Sequence, residues 1–466
     1  MIHMFNRYFS AKSILVTASE IALISIITFL VSAFNFSYWE ADLSLHDPFF
    51  ARTGFIVLVY SIVLYYSDFF KADYYRPGRK MIIRLLSAVV LAGAALFFIC
   101  FFLLSDNLKI WYGVLAVNLL VLPVCLIIWR FALLKCPSME QSNEKVLVIG
   151  SGDLAKNIGL KIFNRENHGL RLHGFIDNDP EKLGRSIVNP GVVGGYGDIM
   201  RIVKNENIRK IIVALPDRRA RLPMSALLDC KLKGVTIVEG ATFHERLEGK
   251  VPLEHLKPSW VVFSDGFKSL RSRKIVKRMT DVFFSSIMLI VLSPVMLITA
   301  ILIKLDSKGS VIFSQTRVGE NEKEFNVYKF RSMKQDAEAG TGPVWANADD
   351  NRVTRFGRFM RKTRLDELPQ LINVIKGDMS FVGPRPERPY FVEQLKKEIP
   401  YFEMRTVVKP GLTGWTQIKY AYGATVEDAI EKLQYDIYYI KHMSLFFDLM
   451  IILGTIKVVL TGQGAR

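Results

Sequence analysis

The chain has 466 residues, 61 Lys and Arg against 44 Asp and Glu for a net charge of +17, and a half-hydrophobic composition. At roughly 150 residues per domain this length implies about three domains. So much apolar material excludes a disordered chain, and a positive mean hydropathy weighs against an ordinary soluble enzyme. A nucleic-acid binder would gather its charge on a polar domain and carry no repeated apolar spans, so no nucleic-acid partner is expected.

Apolar runs at 14–34, 53–66, 81–104 and 110–134 approach or exceed the roughly 20 residues a helix needs to cross hydrocarbon. They predict a four-helix transmembrane bundle over 1–140. The first run lacks a small-residue cleavage site and is expected to stay as an anchor. Basic residues are sparse in the first and third loops (Arg52; Lys109) and dense in the second (Lys71, Arg76, Arg79, Lys80), with Arg7 and Lys12 ahead of the first run. That bias predicts both ends of the bundle on the cytoplasmic side of the membrane. Glu20 and Arg84 fall in or near spans; internal pairing for Glu20 and snorkelling for Arg84 are preferred to a transport path. Cys100, Cys125, Cys136 and Cys230 form no C-x-x-C pair, so no zinc site or disulfide framework is expected.

Over 141–255 the pattern becomes Rossmann-like α/β with a parallel sheet. Lys145-Val-Leu-Val-Ile-Gly150-Ser-Gly152-Asp-Leu-Ala155 reads as a strand, a glycine turn and a helix, with N–H groups aimed where a phosphate would sit. Further strands at 172–176, 210–215 and 235–239 alternate with helical stretches. Asp177 ends the second strand, where a ribose-binding acid would lie, though later than the usual spacing of about 20 residues. Gly150, Gly152 and Asp177 are thus candidates for binding NAD or another nucleotide. A membrane-anchored NAD-dependent nucleotide-sugar epimerase or dehydratase would need a catalytic Tyr-x-x-x-Lys, and none occurs within 141–255. A spacer or sensor without redox chemistry is the favoured reading.

A linker over 256–273 leads to a mainly α catalytic domain over 274–466. Its apolar run, 282–303, is interrupted by Ser293-Pro294 and flanked on both sides by basic residues, Lys274, Lys277 and Arg278 before and Lys304 and Lys308 after. Proline removes a backbone donor and clashes with the preceding turn, so this reads as a re-entrant membrane helix. Arg352, Arg355, Arg358, Arg361 and Arg364 recur every third residue among Phe356, Phe359 and Met360, which suits phosphate or membrane contact, although Gly357 weakens a helix there. Pro369 then places Asp366 and Glu367 at a helix start, with Gly377 as its stop. Two adjacent carboxylates among arginines could hold Mg2+ while one attacks phosphorus, or could simply cap the helix.

Six ordered segments carry a resemblance: Lys277-Arg-Met-Thr-Asp281, Ser293-Pro294, Tyr328-Lys-Phe-Arg331-Ser-Met, Arg364-Leu-Asp-Glu-Leu-Pro-Gln370, Gly377-Asp-Met-Ser-Phe-Val-Gly-Pro-Arg-Pro-Glu387 and Lys409-Pro-Gly-Leu-Thr-Gly414-Trp. The chain resembles the bacterial polyprenol-phosphate sugar-phosphate transferases, monotopic phosphoglycosyl transferases in their large four-span form. Exopolysaccharide priming enzymes are the most similar group. The resemblance implies transfer of a sugar 1-phosphate from a UDP-sugar to undecaprenyl phosphate, with UMP released. It implies that Asp366 is the nucleophile, that Glu367 is its partner at the Mg2+ site, and that Arg361 holds the polyprenyl phosphate. Pro384, Arg385 and Pro386 would belong to the nucleotide site, and Lys329, Arg331 and Arg364 would help neutralise phosphates. A homodimer is an assembly open to the large form. A non-enzymatic assembly regulator is the remaining alternative, and it would not require Asp366-Glu367.

Overall fold

The computed structural model describes residues 2–4, 7–9, 11–38, 49–67, 69–70, 78–102, 112–134, 144–164, 170–215, 222–253, 267, 271–334, 352–420, 423 and 425–461. The chain divides into two compact units, residues 1–243 and 244–466. The division falls earlier than the predicted domain end at 255, because residues from Glu245 to Val251 bond within the second unit. Most of the predicted linker 256–273, and the loop residues Lys71, Arg76 and Lys109 used for orientation, lie outside the described residues.

In the first unit a short antiparallel pair, β1 (Ile2–Met4) and β2 (Arg7–Phe9), precedes four apolar helices, α1 (Ala11–Tyr38), α2 (Phe49–Tyr66), α3 (Arg79–Phe102) and α4 (Tyr112–Leu134). Each is long and apolar enough to cross a membrane. Their outward faces stay apolar, as lipid contact requires, while Ile24, Tyr60, Leu85 and Leu122 pack inward. Glu20 does pair internally: Arg130 donates to it through Nε at 2.6 Å and through NH2 at 3.3 Å, with both residues almost wholly buried. Arg130 also donates to Phe69 O and lies 3.7 Å from the Phe69 ring centroid. The pair joins the early turns of α1 to the last turns of α4.

The α/β part is a five-stranded, all-parallel sheet of order β5-β4-β3-β6-β7, with β3 (Glu144–Ile149), β4 (Leu170–Ile176), β5 (Val192–Gly194), β6 (Lys210–Val213) and β7 (Thr236–Glu239). Helices α5 (Asp153–Asn164), α6 (Ile199–Asn205) and α7 (Met224–Leu232) alternate with the strands. The predicted strands are present, and β5 is additional. A 3₁₀ turn at Pro180–Lys182 replaces a full crossover helix between β4 and β5. Helix α8 (Gly240–Glu248) runs across the division between units.

The second unit is mostly helical. Its helix α9 (Arg271–Asp306) continues through Ser293 and Pro294. Arg278 on its first half donates to Val374 O and Ile375 O, and Asp281 accepts from Ser380 Oγ and Phe381 N. On its second half Ile303 packs with Phe330 and Met360. Between them Ile290, Val291 and Leu297 are exposed at 74, 66 and 64 %. An antiparallel hairpin, β8 (Ile312–Val318) and β9 (Glu324–Phe330), is followed by α10 (Arg355–Thr363), α11 (Gln370–Lys376), β10 (Ser380–Val382) and α12 (Pro389–Glu398). Then come β11 (Gly411–Thr413), parallel to β10, and α13 (Trp415–Lys419), α14 (Val426–His442) and α15 (Leu445–Thr461). Thr425 and Asp428 start α14 with a reciprocal capping box. Helix α14 forms the centre of the core: Leu433, Ile437, Tyr438 and Tyr439 pack with Trp415, Phe402 and Phe447.

Candidate active site

The site grows from a sharp reversal between two helices. Thr354 caps α10 by accepting from Gly357 N at 2.9 Å. Gly357 is required: a Cβ there would lie 2.0 Å from Ser332 O. Thus the glycine that weakens α10 as an isolated helix is what lets it lie against the chain leaving β9. Helix α10 ends at Arg364 in the left-handed region (φ 57°), a conformation that costs a non-glycine residue. The next residues, Leu365–Glu367, form a 3₁₀ turn. Asp366 and Glu367 therefore lie in a tight turn that leads directly into the start of α11, the helix start at which Pro369 is expected to place them. Pro369 is the N-cap of α11 and Gly377 (φ 96°) ends it.

Three cations converge on Glu367. Arg385 donates to it at 2.8 Å, Lys329 at 3.2 Å and Arg364 at 3.5 Å. Lys329 is delivered by β9, whose neighbouring backbone is tied to α11 by the buried Asn373: its Oδ1 accepts from Tyr328 N at 3.0 Å and its Nδ2 donates to Asn326 O at 2.7 Å. Both carboxylates are buried, at 8 % exposure each, yet their surroundings drive them apart. Burial would raise Glu367, but Arg385, Lys329 and Arg364 outweigh it and hold the carboxyl well below its usual range. Asp366 accepts no hydrogen bond among the described residues; burial, reinforced by the Glu367 charge, raises it to about 6 against the pull of Lys329, Arg361 and Arg385. Burial lowers Lys329 despite its carboxylate partner.

The other predicted residues separate into groups. Arg361 donates through Nε to Ser332 Oγ at 3.0 Å, while its charge still acts on Asp366. Arg331 is turned away from the carboxylates: NH2 donates to Ser307 O and Oγ at 2.7 and 2.9 Å, beside the end of α9, and Nε and NH1 are buried without a partner among the described residues. Phe356 and Phe359 stack at 6.0 Å, and Phe359, Arg355 and Arg358 are exposed. Pro384 and Pro386 flank Arg385 and line a shallow crevice with Val318, Arg405 and Val408. Sequence reasoning gave no site role to Arg278, Asp281, Asn373, Ser380 or Asp448. Lys277 and Asp281 lie in a matching motif; Lys277 bonds Asp448 at 2.7 Å and so ties α9 to α15.

In the α/β part, Gly150 has φ 112°, and a Cβ there would be 2.6 Å from Ala214 O. A Cβ on Gly152 would meet nothing within 4 Å. Asp177 is bonded by Ser151 Oγ and lies 3.4 Å from Lys182 Nζ. Burial would raise its pKa, but Ser151, the Asp179 N–H and Lys182 lower it overall. The acid is thus engaged by this unit's own side chains, and Asp153 adds a negative charge in the first turn of α5.

Residues 272–462 match the family of bacterial sugar transferases. The sequence is 33 % identical over 372 residues to the UDP-glucose:undecaprenyl-phosphate glucose-1-phosphate transferase of Escherichia coli (strain K12), covering 76 % of this chain and 75 % of that one. The chain belongs to the bacterial sugar transferase family. It is 43 % identical over 243 residues to an Aeromonas hydrophila UDP-N-acetylgalactosamine-undecaprenyl-phosphate N-acetylgalactosaminephosphotransferase, a match spanning 52 % of this chain and 56 % of the relative. A galactosyl transferase CpsE of Streptococcus agalactiae serotype III (strain NEM316) is 29 % identical over 88 % of this chain and 94 % of its own. Residues 66–228 match a family described as a CoA-binding domain. In this sugar transferase the matched family region contains both carboxylates and every cation named around them.

Proposed function

We propose that this sugar transferase moves a sugar 1-phosphate from a UDP-sugar to undecaprenyl phosphate, the priming step of a surface polysaccharide, through a covalent adduct on Asp366. The observation that carries this reading is the division of labour between adjacent carboxylates. Glu367 is neutralised by three cations, while Asp366 has open oxygens and a raised proton affinity, as a nucleophile needs. An Asp366 oxygen attacks the phosphorus bearing the sugar, the P–O bond to the uridylyl phosphate breaks, and UMP leaves with the electron pair. A polyprenyl phosphate oxygen then attacks the same phosphorus and returns the carboxylate. No sugar–oxygen bond is touched, so anomeric configuration is retained. In this reading Arg385, Lys329 and Arg361 would stabilise the charge of the transferring phosphoryl group.

A magnesium ion fits this donor set, held by Asp366 and Glu367 and completed by the diphosphate. Such a hard cation commonly takes one or two carboxylates plus substrate phosphates and water. When bound it would screen the diphosphate and polarise its oxygens. Among the described residues no group of three or more His, Cys, Asp or Glu could hold a metal, so the ion would arrive with the nucleotide.

The same reading makes α9 re-entrant, with the site on the cytoplasmic face. Both halves of α9 dock on one scaffold, through Arg278 and Asp281 and through Ile303, while the apolar residues between them are exposed. A complete crossing would put parts of that scaffold on opposite faces of the bilayer. Incubating purified protein with labelled UDP-sugars and no lipid should release UMP and leave label on the protein. D366N should abolish both, and full turnover by D366N would defeat the assignment. A panel of UDP-sugars in the same assay identifies the sugar.

A further inference from the structure

The loop carrying Arg385 is held in an unusual way. Its four consecutive carbonyls each accept a hydrogen bond from outside the loop. Pro384 O accepts from Gly411 N at 2.9 Å and Glu387 O from Val318 N at 2.9 Å. The middle two are taken by arginine side chains: Arg385 O by Arg405 NH2 at 2.9 Å and Pro386 O by Arg317 NH1 at 3.0 Å. Arg405 is anchored in turn. Its NH2 lies 3.1 Å from Oδ2 of the buried Asp436 on α14, and Thr416 Oγ1 donates to the other oxygen at 2.6 Å. The Arg405 guanidinium also lies 5.1 Å from the Phe402 ring centroid. Arg317 is steadied by Gln315 at 2.6 Å.

With proline on both sides of Arg385 fixing φ, and both middle carbonyls bolted, little backbone freedom remains in the residue that contacts Glu367. We infer that Arg405, braced by Asp436, and Arg317 are positioning residues, which hold the Pro384–Glu387 loop so that the Arg385 guanidinium stays on Glu367 and faces the transferring phosphoryl group. This rests on the transferase reading. The alternative is that Arg405, which also lines the crevice, is a phosphate ligand acting by charge alone. Arg405 NH2 makes both the Asp436 and the Arg385-carbonyl contacts while NH1 lies 4.0 Å from Glu387 Oε1. A lysine keeps the charge, but its single, shorter-reaching ammonium lacks the planar fork that presents these two nitrogens together.

The test uses full-length protein in nanodiscs, with UMP release from a UDP-sugar that the wild type turns over. R405K should lower kcat by about ten- to a hundredfold, the range expected when a catalytic group is misplaced by about an ångström, with a much smaller change in KM. D436N should act in the same direction, and R405K/D436N should be no worse than the weaker single variant, because both break one chain of contacts. Hydrogen–deuterium exchange of the Val318 and Gly411 amides, which donate to the Glu387 and Pro384 carbonyls of the loop, should accelerate in each variant. If R405K does not fold, R317K supplies the same readings through the Pro386 carbonyl. Wild-type kcat in the folded variant, a loss confined to KM, multiplicative single effects, or unchanged exchange would each overturn the inference. Absence of UMP release by the wild type with every UDP-sugar would defeat the transferase reading instead; the exchange comparison needs no substrate and would still decide the clamp.

Discussion

Replacing Asp366 with asparagine should stabilise the protein while abolishing its chemistry. The folded protein raises this carboxyl from an ordinary 3.8 to about 6, so the folded state binds the proton more tightly than the unfolded chain. Its contribution to stability therefore falls as pH rises from about 4 to 6 and stays lost above that. At about 1.4 kcal/mol for each tenfold change in proton affinity, the buried charge costs about 3 kcal/mol at pH 8. An asparagine side chain keeps the shape and cannot ionise. Thermal unfolding of D366N and wild type in nanodiscs at pH 4.5 and 8 should show a small gap at the lower pH. At pH 8 the variant should melt roughly 5–10 °C higher. A gap of the same size at both pH values, or a less stable variant at pH 8, would refute the reasoning, because Asp366 would then be a favourable charge.

Breaking the buried membrane pair should do the opposite: E20A leaves Arg130 without its carboxylate and should cost about 3–5 kcal/mol, read as a lower melting temperature, while E20L/R130M should recover most of that loss. N373A strands the Tyr328 N–H and the Asn326 carbonyl, at about 1–3 kcal/mol for each group; it should lower both melting temperature and kcat, because β9 then no longer fixes Lys329. G357A forces a methyl group toward Ser332 O and should lower the melting temperature by the equivalent of about 1–3 kcal/mol or more. A G357A protein as stable as wild type would show that α10 can move away from Ser332 without cost.

The membrane helices were legible because apolar length is a property of one contiguous segment: the predicted run 110–134 becomes Tyr112–Leu134. The first strand, its glycine turn and the following helix were equally local. Pairings over long separations were less legible. Glu20 could be expected to find a partner, but nothing in the sequence names Arg130, 110 residues away. Charge and motif position suggested Lys329 as a phosphate contact, and the resemblance assigned Arg385 to the nucleotide site. Only the fold reveals that both spend part of their charge on Glu367, and that Arg331, two residues beyond Lys329, turns to Ser307. Helix α15 went unpredicted; its place is set by packing over long separations, where it contributes Phe447 and Ile451 to the core formed with Trp415 and Tyr438. Gly357 was legible only as a weak position in a helix, since helix propensity takes no account of the Ser332 carbonyl that α10 must approach.

The unequal sharing of cations also suggests an order of events. Around the two carboxylates stand Lys329, Arg361, Arg364 and Arg385, so the cluster is electropositive before substrate arrives, and a free divalent cation has little reason to enter alone. A diphosphate reverses that balance: it brings negative charge to Arg385 and Arg361 and gives a cation further oxygens. As those arginines turn part of their charge to the diphosphate, Glu367 is left more available to a metal, and a metal beside Asp366 would lower its proton affinity. Nucleotide and cation should therefore bind synergistically. In a titration, magnesium affinity should be weak without UDP-sugar and should strengthen with it, and UDP-sugar affinity must then strengthen with magnesium by the same factor. Equal magnesium affinity in the presence and absence of the nucleotide would mean that the carboxylates, rather than the diphosphate, control entry of the ion.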